Sequence, residues 1–386
     1  MTGKRLGEVR RRRDRYQRQR ATREHHRLQR NASIIADLRF TPRASKAPPT
    51  LPRIMYCNRV TDGSDSQLVK NDSEVNYKDP IFNDYKRIDG RQSALIYVVD
   101  KSTKEPFLVV NVVLFKDMTN SQRYDYSFLF GYIKTDEKFR CANALKNGAM
   151  VRGTMKATGY RAATEKDMSF GEYAPTQQVQ KRLQTDPEFS AEFWRHLDKA
   201  KGLHQILSKM LYGLAPKLHE ELVMEMRRRR LPPLGAKHHD IESEDEEVTE
   251  SSPFTPHLIY TYNGFTNKPH CDNDVNLWAT GIWGPCDTSG KLVTHADGFK
   301  QNGHYFFNAS YKVLVDTGAI DGIVHMAWRG REDIHATSTG HLAKGYQRWA
   351  FTAQMNKQLD QRVSKALKTG VFNVMDTERR IGSRIK

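Results

Sequence analysis

Two histidines, one carboxylate and one arginine are spaced in this chain so that a metal ion and a dicarboxylate can be held side by side. His270 and Asp272 stand two apart in Pro269-His270-Cys271-Asp272. On extended chain, residues i and i+2 point to the same face, so both can reach one ion. A further histidine from another strand would complete the two-histidine, one-carboxylate set that binds Fe(II) in non-haem oxygenases and leaves positions open. His335 is the candidate: it follows Arg329-Gly330-Arg331-Glu332-Asp333-Ile334, a turn-like run, and starts a new segment. Arg348 lies in the strand-like run Tyr346–Thr352, 348 − 335 = 13 positions later. That gap fits a strand end, a loop and entry into the next strand. Its guanidinium suits the far carboxylate of 2-oxoglutarate, which a planar fork grips through two bonds. His325, in the alternating run Gly322–Trp328, is the alternative third ligand; its gap to Arg348 is 23 positions.

The pattern H-x-D is short, and His295-Ala296-Asp297 repeats it. Context separates the two copies. Apolar and aromatic runs, Leu258–Tyr262 and Leu277–Trp283, flank the first and read as strands. Gly290 and Gly298 flank the second, which reads as a turn. Cys271 would face away from the ion and reads as a packed thiol. Further strands are expected at Ala94–Val99 and Phe107–Leu114, and a short helix at 137–149. Helical spacing of apolar residues runs from Pro187 through Leu211, and a second helix from Pro216 to Arg230. The basic end of that helix, Arg227–Arg230, suits a helix C-terminus or a phosphate contact.

Taken together, His270-x-Asp272-x-Asp274, Gly322–Gly330, His335-x-Thr337 and Arg348 resemble the fungal branch of the Tet/JBP family of 2-oxoglutarate- and Fe(II)-dependent nucleic-acid oxygenases. Met155-Lys156-Ala157-Thr158-Gly159-Tyr160-Arg161, with Gly171-Glu172-Tyr173 after it, is similar to the entry of that domain. The likeness covers roughly residues 90–360, interrupted near 237–254. It implies an α+β fold: a double-stranded β-helix, jelly-roll or cupin-like, with flanking helices. It implies Fe(II) on His270, Asp272 and His335, 2-oxoglutarate on Arg348, and O2 as oxidant. Ala350 departs from the serine that animal relatives often place two residues after that arginine. Asn263, in Tyr262-Asn263-Gly264-Phe265, fits either a turn or a bond to the co-substrate. Arg161 is a candidate second anion contact or an ordinary surface arginine. The implied reaction is oxidation of a methyl group on a flipped base, mainly 5-methylcytosine to its hydroxymethyl and further oxidised forms. N6-methyladenine or RNA as substrate, or a lapsed nucleic-acid-binding jelly roll, are the alternatives.

Composition points the same way. The 386 residues carry a formal net charge of +17, which favours polyanion partners. Residues 1–30 hold 12 Lys and Arg against three acids, a net of 12 − 3 = +9. We therefore expect a basic, flexible arm at 1–50 that contacts phosphates without choosing sequence, or directs the protein to the nucleus. The oxygenase's first strands and helices fall at 51–236, an acidic disordered loop at 237–254 with Ser243 as a phosphosite candidate, the catalytic core at 255–360 and a basic tail at 361–386. Four scattered cysteines without a C-x-x-C pair argue against a cysteine zinc site. No apolar run is long enough for a signal peptide or a membrane span. The expected partner is double-stranded DNA carrying methylated bases, bound by a monomer in the nucleus.

Overall fold

The computed structural model describes residues 52–142 and 150–381. The basic arm and the end of the tail lie outside the described residues. The described residues fall in one compact unit. In chain order its elements begin with β1 (Arg53–Cys57), α1 (Ser64–Lys70), β2 (Lys86–Ile88), β3 (Ala94–Asp100), β4 (Pro106–Leu114), α2 (Asn120–Glu137), β5 (Met150–Ala162) and β6 (Phe170–Glu172). Four helices follow: α3 (Gln177–Thr185), α4 (Pro187–Asp198), α5 (Ala200–Leu214) and α6 (Pro216–Arg228). Then come β7 (His257–Asn267), β8 (Ala279–Asp287), β9 (Gln301–Gly303), β10 (Phe306–Asn308), β11 (Val313–Val315), β12 (Gly322–Trp328), β13 (His335–Thr337), β14 (Gly340–Leu342) and β15 (Tyr346–Ala353). The last elements are α7 (Lys357–Thr369), β16 (Val374–Met375) and α8 (Thr377–Ile381).

A mixed α+β architecture results. One ten-stranded sheet runs β1-β3-β4-β12-β8-β15-β7-β5-β6-β16, and a four-stranded sheet runs β13-β10-β11-β2. The central strands β4, β12 and β8 are buried along nearly their whole length, which explains their near-continuous apolar sequence. Alternation sorts their side chains to two cores. Val109, Val113, Ile282, Ile323, Ala327, Trp349 and Phe351 pack under helices, against Leu129 and Phe130 of α2 and Leu207 and Leu211 of α5. Leu108, Val110, Trp283, Val324, Met326, Trp328 and Ala350 pack on the other side, with Phe306, Val313 and Val315 of the small sheet. Phe307, Leu314 and Ala336 turn outward from the small sheet and are covered by Val75, Phe82 and Tyr85.

Several sequence expectations move. Of the helix expected at 137–149, residues 143–149 lie outside the described residues, and α2 ends at Glu137. Its start is fixed by a reciprocal capping box between Thr119 and Gln122, and its buried side is built largely of tyrosine and phenylalanine. The helical stretch from Pro187 divides at Lys199 into α4 and α5. Residues of the expected tail form the end of α7, β16 and α8. The acidic segment is tied down at Glu242 and Glu246. The Arg227 side chain, which is buried, pairs with the Glu242 carboxylate and donates 2.7 Å to the Glu246 carbonyl. Arg228 and Arg229 pair with Glu225, and Arg229 also with Asp360. The basic end of α6 is thus largely spent on internal ion pairs, which favours its structural reading over phosphate contact.

Candidate metal and co-substrate site

His270 and Asp272 leave β7 as extended chain laid against the β12–β13 turn. His270 and His335 exchange backbone bonds of 3.1 and 3.0 Å, and the Asp272 amide donates 2.8 Å to the Gly330 carbonyl. This pairing brings the i and i+2 side chains against the histidine that opens β13. The turn itself is held by charge. Arg329 donates 3.0 Å to Asp333 and 2.8 Å to the Tyr311 hydroxyl, Arg59 donates 3.0 Å to Asp333, and Tyr311 donates 2.9 Å to Asp100. Tyr311 also stacks on Phe107 at 3.6 Å between centroids.

One ligand atom from each of His270, Asp272 and His335 lies within 4.8 Å of the other two. The histidine Nε2 atoms stand 3.6 and 3.5 Å from the Asp272 carboxylate oxygens. Each Nδ1 faces a backbone carbonyl, Lys268 at 2.7 Å and Asp333 at 2.9 Å. With the proton on Nδ1, both Nε2 lone pairs face the common point, the arrangement metal-binding histidines use. Asp272 Oδ2 is buried without a hydrogen-bond partner. A Cβ on Gly330 would collide with that same oxygen, so glycine is what leaves the carboxylate its room. Burial and metal-ready chemistry both mark the charges. Burial would raise Asp272, but the two histidines outweigh it and hold it low. Burial would lower His270, but Asp272 holds it high; at His335 burial prevails. These residues fit a divalent iron: two imidazole nitrogens, one anionic carboxylate, and a carboxylate oxygen that makes no hydrogen bond.

Arg348 sits on the inward face of β15, two positions from Ala350, which joins the core between the sheets. It is buried, and it donates 2.9 Å to the His304 carbonyl and 3.3 Å to the Thr317 hydroxyl. No carboxylate pairs with it among the described residues. Burial alone pulls its guanidinium down to about 10. An arginine buried without an anion is costly, and the cost is recovered when an anionic ligand arrives.

The other candidates scatter. Asn263 has φ 56°, its amide nitrogen donates 3.2 Å to Thr154, and it lines a cleft of about 400 Å³ with His304, His341 and Gln347. Arg161 is not brought to the site. It pairs with Glu165 at 3.0 Å. It follows Gly159, which is in register with His257 at the far end of β7 from His270. Roughly 30 Å of strand separates the two ends. His325 points to the helix-covered side, against Thr280 at 3.2 Å, and burial pushes it down to about 3. Asp297 caps its own turn through Thr294, as a turn residue should. Cys271 is exposed, not packed. Trp283 and Trp328 are walls of the inner core, with Trp328 5.7 Å from the His335 ring, whereas Tyr262 stacks on Trp349 on the helix side. Gly330 was missed as a residue of the site. It carries no local signature; the pairing of its carbonyl with the Asp272 amide gives it its place.

Residues 119–340 match the family described as the Tet-like 2OG-Fe(II) oxygenase superfamily, more than half of the chain. The chain belongs to this superfamily. The match takes in His270, Asp272 and His335 and stops short of Arg348, so the arginine's assignment rests on its geometry. As a 2OG-Fe(II) oxygenase, the protein uses Fe(II), 2-oxoglutarate and O2. No curated protein matches the chain. A solved structure titled "The structure of OsALKBH1" aligns over 65% of this Tet-like oxygenase and 98% of that chain, with 10% identity and a TM-score of 0.29. No helix among the described residues is long and apolar enough to cross a membrane.

Proposed function

We propose that this oxygenase oxidises the methyl group of a flipped, methylated base in double-stranded DNA, with 5-methylcytosine as the first substrate. His270, Asp272 and His335 hold the iron, and Arg348 grips the distal carboxylate of 2-oxoglutarate. The observation that carries the site is the pairing of two unmet needs on one interior face: a carboxylate oxygen without a partner and a guanidinium without an anion. The two facing sheets are read as a double-stranded β-helix, with 255–360 as its catalytic core.

Each residue's part follows from its contacts. The Lys268 and Asp333 carbonyls keep the protons of His270 and His335 on Nδ1, so Nε2 is free to ligate. Gly330 lets Asp272 approach. Trp283, Trp328 and Phe306, with ring centroids 5.0 to 5.8 Å apart, exclude water from the inner side. Bound Fe(II), with 2-oxoglutarate and O2, supplies the oxidising power for a C–H bond. A net charge of +17 supports a polyanionic substrate. A base inside a duplex cannot reach an interior metal, so the nucleotide must be extruded. The basic arm then adds phosphate contacts, and the protein works as a monomer in the nucleus.

The test is product analysis. The protein is incubated with Fe(II), 2-oxoglutarate and duplexes carrying 5-methylcytosine, N6-methyladenine or no modification. Succinate release and nucleoside mass spectrometry are read together. Oxidised cytosine forms from the first duplex alone if the proposal holds. Turnover confined to N6-methyladenine, or no turnover on any duplex, would overturn it.

A further inference from the structure

Asn308 is the buried polar residue of the inner core whose amide has no partner at either end. It is fully buried, and neither Nδ2 nor Oδ1 makes a hydrogen bond. Its position makes that unusual. Asn308 precedes the 3-10 turn Ala309–Tyr311, where an asparagine side chain normally caps the turn; here it makes no cap bond. The amide is turned away from the use its sequence position offers.

Strand geometry says where it points. In β10, Phe307 faces outward into the cluster under Val75 and Phe82, and Phe306 faces inward to Trp283 and Trp328. Alternation puts Asn308 inward with Phe306. Across the ladder, Asn308 is paired in register with His335, and Ala336, the outward residue of β13, is paired with Phe307. Residues directly opposite on one face have their Cβ atoms about 5 Å apart. The Asn308 amide therefore lies beside the imidazole of the third proposed iron ligand. Trp328 Nε1, also buried and unpartnered, opens on the same interior near Gly330 and Asp272.

We propose that Asn308 binds the co-substrate, its Nδ2 donating to a carboxylate of 2-oxoglutarate beside the iron. This rests on the reading of the site as an iron and 2-oxoglutarate centre. The chemistry selects the ligand. A carboxylate accepts from Nδ2, and a water carried in with it donates to Oδ1. Full enclosure favours a small dianion over an extruded base, which stays tethered to its duplex. Arg348 then holds one end of the dianion and Asn308 steadies the end nearer the metal.

The experiment is anaerobic titration of 2-oxoglutarate into Fe(II)-loaded protein, read by calorimetry and by the visible absorbance of the complex. Fe(II) affinity and the melting temperature of the ligand-free protein are measured alongside. Asn308→Leu keeps the volume and removes both polar ends. It should weaken 2-oxoglutarate about tenfold or more, leave Fe(II) affinity within about twofold, and leave the ligand-free melting temperature level or higher. If the leucine variant does not fold, Asn308→Ala carries the same reading. Unchanged 2-oxoglutarate affinity in the folded variant would overturn the proposal, as would a fall in melting temperature with no loss of affinity. Wild-type protein that binds no 2-oxoglutarate in the presence of Fe(II) would overturn the reading of the whole site instead.

Discussion

The ten-stranded sheet buries ionisable groups on both faces, and the two faces treat them differently. Under the helices, charge is met by charge. Asp136 accepts from Arg140 at 3.1 Å, His196 at 3.0 Å and the Tyr260 hydroxyl at 2.9 Å, and Arg140 reaches on to Thr158 at 3.1 Å. Between the sheets, Arg348 has only neutral oxygens, and Asp272 Oδ2 and both ends of Asn308 make no hydrogen bond. Buried charges fully paired fix a fold; buried charges and amides left open await a ligand. In charge, then, the sheet carries a finished interior on one side and an unfinished one on the other; the buried atoms without hydrogen-bond partners under the helices are neutral ones, the Tyr132 hydroxyl and ring nitrogens of His204, His219 and Trp349.

The largest expected effect is on the finished side. Asp136→Ala strands the buried Arg140 guanidinium, and the fold should lose about 3–5 kcal/mol in a urea titration. A loss below about 1 kcal/mol would mean that Arg140 finds water, and the contrast between the faces would blur.

Next in size, taken per group, is acid sensitivity. His204 and His219 on the helices and His257 at the start of β7 are buried as neutral rings, each pushed down to about 4 by burial; the charges of His219 and Lys201 add to this at His204, and that of Arg227 at His219. The unfolded chain takes up these protons near pH 6.5 and the folded chain does not until about pH 4. Stability is therefore complete above pH 6.5 and falls as pH drops from there toward 4, by about 1 kcal/mol per group per pH unit. Denaturation midpoints at pH 7.5, 6 and 5 check the slope. A flat profile would show that the rings are protonated in place.

How much of this could be read from the chain follows the range of each interaction. His270 and Asp272 were legible because i and i+2 on extended chain is local geometry. Strands β3, β4 and β12 were legible from apolar runs, and His335 and Arg348 from the segments they begin and occupy. Asn308 was not, since an asparagine after two phenylalanines means nothing until β10 is laid on β13. Arg161 was misplaced for the same reason: its motif resembles a domain entry, but the β5–β7 register carries it to the wrong end of the strand. The acidic segment read as solvated because its partner, Arg227, approaches from another element.

On the unfinished side, Arg348→Met separates ligand binding from folding. Methionine fills the space without a charge, so ligand-free stability should hold or rise by about 1 kcal/mol. The 2-oxoglutarate requirement should rise roughly a hundredfold, the worth of a charge-assisted pair near 3 kcal/mol. Steady-state kinetics against co-substrate concentration and one melting curve decide it. A stability loss with an unchanged requirement would make Arg348 a structural cation like Arg140.

The smallest effect is the most discriminating, because it tests whether cation type or cation surroundings assigns a role. Arg161 is an arginine at the end of a motif that resembles this family, as Arg348 is an arginine in a strand. Their environments differ. Arg161 meets Glu165 at 3.0 Å and lies near the Tyr173 ring at 5.9 Å, so its charge is already answered. Arg161→Ala should change the 2-oxoglutarate requirement by less than about twofold and cost under about 1 kcal/mol of stability, as for a partly exposed ion pair. A tenfold rise in the requirement would place a second anion contact where the geometry has none, and would show that an answered charge can still serve the site.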